Sequence, residues 1–344
     1  MNPLIWATLI TSLATSTIIT MSSNHWLLAW LGLELNTLSI LPIMMKSNHP
    51  RATEATTKYF LIQATAATMI LFASTMNAWQ TGLWSITGTS TTTTLLTTAA
   101  IMMKLGLAPA HMWFPQVLQG TTMYNALVIS TWQKIAPLTL LYMTHNHLNT
   151  PTLLLLGLLS TTVGGIAGLN QTQTRMIMAF SSIAHMGWLI TALAISPSLA
   201  TLTLLTYMTM TTAMFITLNT TSTKTISDMG TAWSLSPITL TTTMMTLLSV
   251  GGLPPLTGFM PKLLILKNLT ADLTLLATLI LLSSLPSLFF YLRLAYLTML
   301  TTPPTTTTTE HKWRFKLNLP PNMAPAMVAT TMLLPLTTTL YNST

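Results

Sequence analysis

Five ionisable residues interrupt apolar runs that are long enough to cross a bilayer. Glu34 lies near the middle of WLLAWLGLELNTLSILPIMMK, and Lys104 opens KLGLAPAHMWFPQVLQG. Lys134 sits in WQKIAP, His185 in FSSIAHMGWL, and Lys262 closes GGLPPLTGFMPK, seven residues after Pro255. A charge at the centre of a membrane helix costs about 2.5 to 3.5 kcal/mol on insertion scales, so each of these groups needs a partner, a change of protonation or water. Burial disfavours an ammonium and a neighbouring carboxylate favours it. A lysine set among such groups can therefore take up and release a proton, and histidine titrates nearest neutrality of all side chains. The chemistry suggested is proton or cation passage. Bland readings stand beside it: Glu34 as a helix-holding ion pair or protonated carboxyl, Lys104 and Lys262 snorkelling to headgroups, His185 bonded to a backbone carbonyl.

Two of these residues adjoin breaks in their helices. The Ala108-Pro109 step after Lys104 and the Gly-Gly-Leu-Pro254-Pro255 stretch before Lys262 cannot continue a helix. Broken backbone at membrane depth is tolerated only where protein covers it or where it lines a wet cavity, which is how ion-pathway sites are commonly built. Pro137, three residues after Lys134, cannot donate to the carbonyl of Gln133 and is expected to bend that helix. His111 follows the first break and could face its cavity.

Composition fixes the environment of these groups. The chain has 344 residues, of which 50% are hydrophobic and 5% charged, with a mean hydropathy of +0.60. Soluble domains carry about a quarter charged residues, so this reads as an integral membrane protein. The net charge of +8 is scattered among spans and makes no basic stripe for nucleic acid. With no cysteine there is neither a disulfide nor a thiolate to hold an iron–sulfur cluster or zinc. There is no P-loop, GxGxxG or zinc-binding histidine spacing, so no nucleotide, metal or redox centre is expected in this chain. The opening MNPLIWATLI lacks a basic n-region and a cleavage site, so the first span is expected in the mature protein.

At 1.5 Å per residue a span takes about 20 residues. The apolar runs and their polar punctuation predict an all-α fold of about eleven spans: 3–21, 25–45, 57–79, 91–119 (broken), 122–143, 152–170, 174–195, 198–220, 237–268 (broken), 273–297 and 323–341. These divide into a first five-helix repeat over 1–145, a second over 146–300, a linker over 301–322 and a C-terminal helix over 323–344. The fourth span is broken in each half, the pattern expected of an inverted repeat. With the N-terminus inside, nine loop cations (Lys46, Arg51, Lys58, Arg175, Lys224, Arg293, Lys312, Arg314, Lys316) face inward and only Lys267 faces outward. The linker is then on the inside and the C-terminus outside.

Six stretches carry a specific resemblance over essentially the whole chain: MNPLIW, WLGLELNTLSILP, KLGLAPAHMWFPQVLQG, WQKIAP, SSIAHMGW and GGLPPLTGFMPK. With them the chain resembles the subunit 2 family of the mitochondrial proton-pumping NADH:ubiquinone oxidoreductase, respiratory complex I. The resemblance implies an antiporter-like membrane-arm subunit with two inverted repeats, each with a discontinuous helix. It implies a Glu34–Lys104 coupling pair, a polar axis continued by Lys134 and His185, and Lys262 on the exit side. It also implies that NADH, flavin, iron–sulfur clusters and ubiquinone are held by other subunits. The partners would be further membrane-arm subunits and the lipids of the mitochondrial inner membrane, cardiolipin among them, with no nucleic acid. A free-standing cation/proton antiporter would use the same residues, and a scaffold would use the buried charges only to hold helices together.

Overall fold

A computed structural model describes residues 2–46, 49–232, 237–300 and 323–335. The expected linker over 301–322, with Lys312, Arg314 and Lys316, lies outside the described residues, as does the end of the expected last helix. Among the described residues the fold is all-helical, with two isolated β-bridges. Seven helices among the described residues are long and apolar enough to cross a bilayer. The chain divides into two compact units, Met1–Ser160 and Thr161–Thr344, with the division inside one helix.

In the first unit, α1 (Pro3–Ser22), α2 (Trp26–Met45) and α3 (Pro50–Thr81) are continuous. Their ends follow local rules. Asn2 accepts from the Leu4 N–H ahead of Pro3, His49 caps α3 ahead of Pro50, and Gly82 closes α3 in the left-handed region at φ 72°. Next come α4 (Thr91–Leu105), α5 (Trp113–Gly120), α6 (Met123–Ser130) and α7 (Trp132–Met143), then a one-turn 3-10 helix at His145–His147 and α8 (Thr150–Gly168). Helix α2 packs between α1 and α3, while α3 also packs on α4 and α5, and α7 contacts α1, α2 and α4.

The second unit takes the rest of α8 with α9 (Thr174–Ile195), α10 (Pro197–Thr220), α11 (Ile226–Thr231), α12 (Pro237–Gly251), α13 (Phe259–Asp272), α14 (Thr274–Leu300) and α15 (Met323–Met332). Helix α10 is its centre, touching α9, α12, α13 and α15. Gly164 and Gly168 let α8 approach closely. A Cβ at Gly164 would lie 2.7 Å from the Ala184 nitrogen of α9, and one at Gly168 would lie 2.9 Å from the Phe290 ring of α14. The capping box at α11 pairs Thr225 with Asp228, whose carboxylate accepts from the N–H groups of Lys224 (3.1 Å) and Thr225 (2.8 Å). Those hydrogen bonds hold the Asp228 carboxyl below the usual range.

Threonine is abundant in these helices, yet most of its hydroxyls ask nothing of their surroundings. Thr20 donates to the Thr17 carbonyl (2.7 Å), Thr217 to Met214 (2.8 Å) and Thr243 to Leu240 (2.7 Å), each bond closing within its own helix. A polar group bonded in this way is satisfied without water, which hydrocarbon requires.

Candidate functional site

The first break is a finished structure rather than a gap. Helix α4 ends in a Schellman motif: Gly106, at φ 72°, donates to Met103 (3.2 Å) and Leu107 donates to Met102 (3.1 Å). The Met103 carbonyl also accepts from Trp113 Nε1 (3.2 Å), and the Lys104 carbonyl accepts from Gln63 Nε2 (3.3 Å). Sequence reasoning places the break at Ala108-Pro109. The helix stops three residues earlier, because glycine reaches the left-handed region without a Cβ penalty. Phe114 and Trp113 then close on Gly106, at 3.1 Å and 3.3 Å from where a Cβ would be. Pro109 lies in the connection, and His111 Nδ1 sits 3.1 Å from the Pro109 carbonyl rather than on the cavity described next.

Lys104 stands in the last turn of α4, where the negative end of the helix dipole favours a cation. Its side chain is 6% exposed, and Nζ has no hydrogen-bond partner among the described residues. It lines a buried cavity of about 10 Å³ together with Lys134, Thr37, Tyr59, Gln63 and Gln133. Lys134 is 3% exposed, with Nζ 4.9 Å from the centroid of the Phe114 ring. Around them Gln133 Nε2 donates to Asn36 Oδ1 (3.1 Å), and the Tyr59 hydroxyl lies 3.4 Å from Gln133 Oε1. Glu34 is half-buried and makes no direct ion pair with Lys104. Its carboxylate instead accepts from the Thr37 hydroxyl at 3.0 Å.

Besides Pro137, expected to bend its helix, a second irregularity adjoins Lys134. Pro137 lies inside the continuous α7, and the interruption falls at Thr131, between α6 and α7. There the Thr131 hydroxyl bonds back to the Leu127 carbonyl at 2.7 Å, and the Lys134 N–H donates to Thr131 at 3.2 Å. Thr206 and Thr211 make the same i−4 bond inside the unbroken α10, so the hydroxyl accompanies the interruption and does not by itself set it. Lys134 is thereby placed three residues past an interruption, in the first turn of α7.

The second unit repeats the construction. Helix α12 ends at Gly251, and Gly252 at φ 83° donates to Ser249 (3.0 Å) while Leu253 donates to Leu248 (3.3 Å). Pro254 and Pro255 occupy the connection to α13. Lys262 reaches back across the break from α13, its Nζ donating to the Gly251 carbonyl at 2.9 Å and lying 6.0 Å from the Trp188 ring. It shares a cavity of about 20 Å³ with His185, Thr203, Thr206 and Tyr207. The His185 and Tyr207 rings are 5.9 Å apart. Two of the five sequence-selected residues thus meet in each unit, Lys104 with Lys134 and His185 with Lys262, while Glu34 reaches the first cavity through Thr37.

Residues 23–290 match the family described as NADH:quinone oxidoreductase/Mrp antiporter, and residues 288–341 match the C-terminus of NADH dehydrogenase subunit 2. The chain belongs to this family. It is 53% identical over 316 residues to NADH-ubiquinone oxidoreductase chain 2 of Xenopus laevis, covering 91% of this chain and 92% of that one. The same protein of Carassius auratus is also 53% identical, with 98% of each chain covered. Among solved structures, respiratory complex I from Thermus thermophilus superposes with a TM-score of 0.82 at 27% identity, covering 95% of this chain and 76% of that one. The Mrp complex from Dietzia sp. also reaches 0.82, over 97% of this chain and 76% of that one, and at 16% identity it shows the fold alone.

Within this antiporter-like family frame, sequence reasoning missed the polar lining of the first cavity: Asn36, Thr37, Tyr59, Gln63 and Gln133. Asn36 and Thr37 follow Glu34 by two and three residues in ELNT, which is the one signal that could have drawn attention to them. Tyr59 and Gln63 stand a helical turn apart on α3 and would have read as an ordinary half-polar face.

Proposed function

We propose that this chain is a core membrane-arm subunit of NADH:ubiquinone oxidoreductase, carrying protons across the mitochondrial inner membrane while other subunits pass electrons from NADH to ubiquinone. The observation that carries the proton role is the pairing of Lys104 and Lys134 on one buried cavity beside a broken helix. Two amines lining one cavity offer a proton two alternative resting places, as a transfer path requires. Lys262 and His185 on a like cavity support the same role in the second unit. Glu34, Lys104, Lys134, His185 and Lys262 are the residues assigned to the path. Pro109, Pro254 and Pro255 lie in the connections that break its helices.

The same reading takes the chain across the bilayer eleven times. The seven long helices, the segmented pairs α4/α5, α6/α7 and α12/α13, and α15 supply eleven segments. An inverted pair of five-helix repeats over 1–145 and 146–300 is supported by two correspondences. Each half has a Schellman glycine at the break of its fourth segment. In each half an isolated bridge also ties the start of the second segment to the approach of the fourth, His25 with Ser85 and Gln173 with Thr225. The distribution of loop cations supports an N-terminus and a 301–322 linker in the matrix and a C-terminus in the intermembrane space. Flavin, iron–sulfur clusters and both redox substrates belong to partner subunits in this reading, and cardiolipin is among the surrounding lipids.

The test is to isolate assemblies through this chain and assay them in sealed vesicles. NADH:ubiquinone reductase activity with coupled proton uptake is expected to travel with it. A chain that is isolated free of reductase and exchanges cations for protons unaided would overturn the reading in favour of a free-standing antiporter.

A further inference from the structure

Glu34 and Lys104 are candidates for proton exchange, yet they make no direct ion pair. What lies between them is specific. The Thr37 side chain is 5% exposed and lines the cavity, and its single O–H is shared between the Glu34 backbone carbonyl at 2.8 Å and Oε2 of the Glu34 carboxylate at 3.0 Å. With its hydrogen committed to Glu34, the Thr37 oxygen retains lone pairs that can accept. Lys104 lines the same cavity, its Nζ is a buried donor with no partner among the described residues, and buried polar groups are nearly always paired with protein or with water. The cavity they share, about 10 Å³, matches the room needed for one water. Two of the neighbouring amides have partners of their own, Gln133 Nε2 on Asn36 and Gln63 Nε2 on the Lys104 carbonyl.

We propose that one ordered water binds in this cavity between Lys104 and Thr37, and that the Thr37 hydroxyl relays protons between that water and the Glu34 carboxylate. Every donor then points the same way, from Lys104 to water, to Thr37, to Glu34. In transfer, an Nζ–H bond of Lys104 breaks as an O–H bond of the water forms. A second O–H of the water breaks as Thr37 gains a hydrogen, and the original Thr37 O–H breaks as Oε2–H of Glu34 forms. The ammonium and carboxylate become amine and carboxylic acid, the nitrogen keeping its lone pair, and no atom is oxidised or reduced. The reverse sequence restores both charges. Thr37 is a relay residue that neither gains nor loses a proton overall.

This inference rests on the proton-translocation reading, and its test separates the two. Thr37→Val removes the hydroxyl at nearly constant shape, and Thr37→Ser keeps it. Each is compared in assembled complex with Lys134→Met, for pumped protons per electron and for the effect of deuterated solvent on pumping. Proton transfer through this chain is expected to fall at least about a hundredfold in Thr37→Val, the lower end of what a lost proton-transfer group costs, and to recover in Thr37→Ser. If Lys134→Met fails to pump while Thr37→Val pumps at the wild-type ratio, the relay is overturned and the path reading stands. If both variants pump normally, the path reading falls and the relay with it. Equal loss in the valine and serine variants would assign Thr37 a packing role and overturn the relay. A density map of the wild-type complex supplies a measurement independent of the variants. It is expected to show a water within hydrogen-bond distance of both Nζ and the Thr37 oxygen, and no water there overturns the site.

Discussion

Replacing Lys134 with methionine separates a proton path from a scaffold. The side chains are similar in length, and methionine's flexible thioether fills irregular space well. Two energies change in opposite directions. The contact of Nζ with the Phe114 ring, 4.9 Å from its centroid, is lost, at about 2 kcal/mol for a desolvated cation–π pair. The cost of holding an ammonium at 3% exposure, several kcal/mol for a buried ion, is removed. Buried charges replaced by well-packed apolar groups commonly leave stability unchanged or raise it by about 1 to 4 kcal/mol. Assembly and resistance to heat are therefore expected to be at least those of the wild type, with proton translocation through this chain abolished. The assay is quinone reduction and proton pumping by the assembled complex in sealed vesicles, with Lys134→Arg as the variant that stays charged. A methionine variant that assembles and pumps at the wild-type ratio of protons to electrons would refute the reasoning, and one that fails to assemble would point to a scaffold.

Further expectations follow from single contacts. Gly106→Ala places a Cβ at φ 72° and 3.1 Å from Phe114, so a loss of about 1 to 2 kcal/mol from the left-handed backbone alone is expected, measured as earlier thermal inactivation. Gly252→Ala puts a Cβ at φ 83° and 2.9 Å from Lys262 Nζ, so a backbone loss like that at Gly106 is expected together with displacement of the bond to Gly251; pumping that falls no further than in Gly106→Ala would count against a role for that bond. Gln133→Leu strands Asn36 Oδ1 and the Tyr59 hydroxyl in the first cavity, at about 1 to 3 kcal/mol for each unpaired group, and heat resistance unchanged from wild type would show those bonds to be unimportant. At α11 the folded Asp228 carboxyl titrates below its unfolded range, so its contribution is complete above about pH 4 and is lost as pH falls through the lower folded value. Hydrogen exchange at the Lys224 and Thr225 amides should stay protected at neutral pH and open only in acid, and Asp228→Ala should remove that dependence.

The ionisable members of the site were legible because a charge inside an apolar run is costly to insert and so stands out from its neighbours. The breaks were legible from Pro109 and from Gly251 to Pro255. Less was visible at finer scale. The end of α4 was set by Gly106, whose role depends on Phe114 and Trp113 folding back upon it, and no local rule announces that contact. The interruption at Thr131 went unseen beside the stronger signal of Pro137, since one threonine among so many carries no mark of a helix end. The cavity lining was hidden for a different reason. Gln63 meets the Lys104 carbonyl across 41 residues of sequence, Tyr59 meets Gln133 across 74, and Gln133 meets Asn36 across 97. Amides and hydroxyls that neither titrate nor break a helix declare themselves only when the helices are packed.

The hydroxyls that bond within their own helices carry a consequence for how this chain can vary. Where a threonine satisfies itself one turn back, as at Thr20 or Thr243, exchange for the similarly shaped valine removes donor and demand together and keeps the packing, whereas alanine would leave a gap at these buried positions. A few hydroxyls look elsewhere. Thr257 donates to the Thr330 carbonyl at 2.6 Å, and Thr174 to the Thr223 carbonyl at 3.1 Å. Each joins segments far apart in the chain, and losing it strands an acceptor on another element. An inherited change from threonine to valine is thus silent or damaging according to the direction of one O–H bond, and hydropathy alone would rank the two kinds alike.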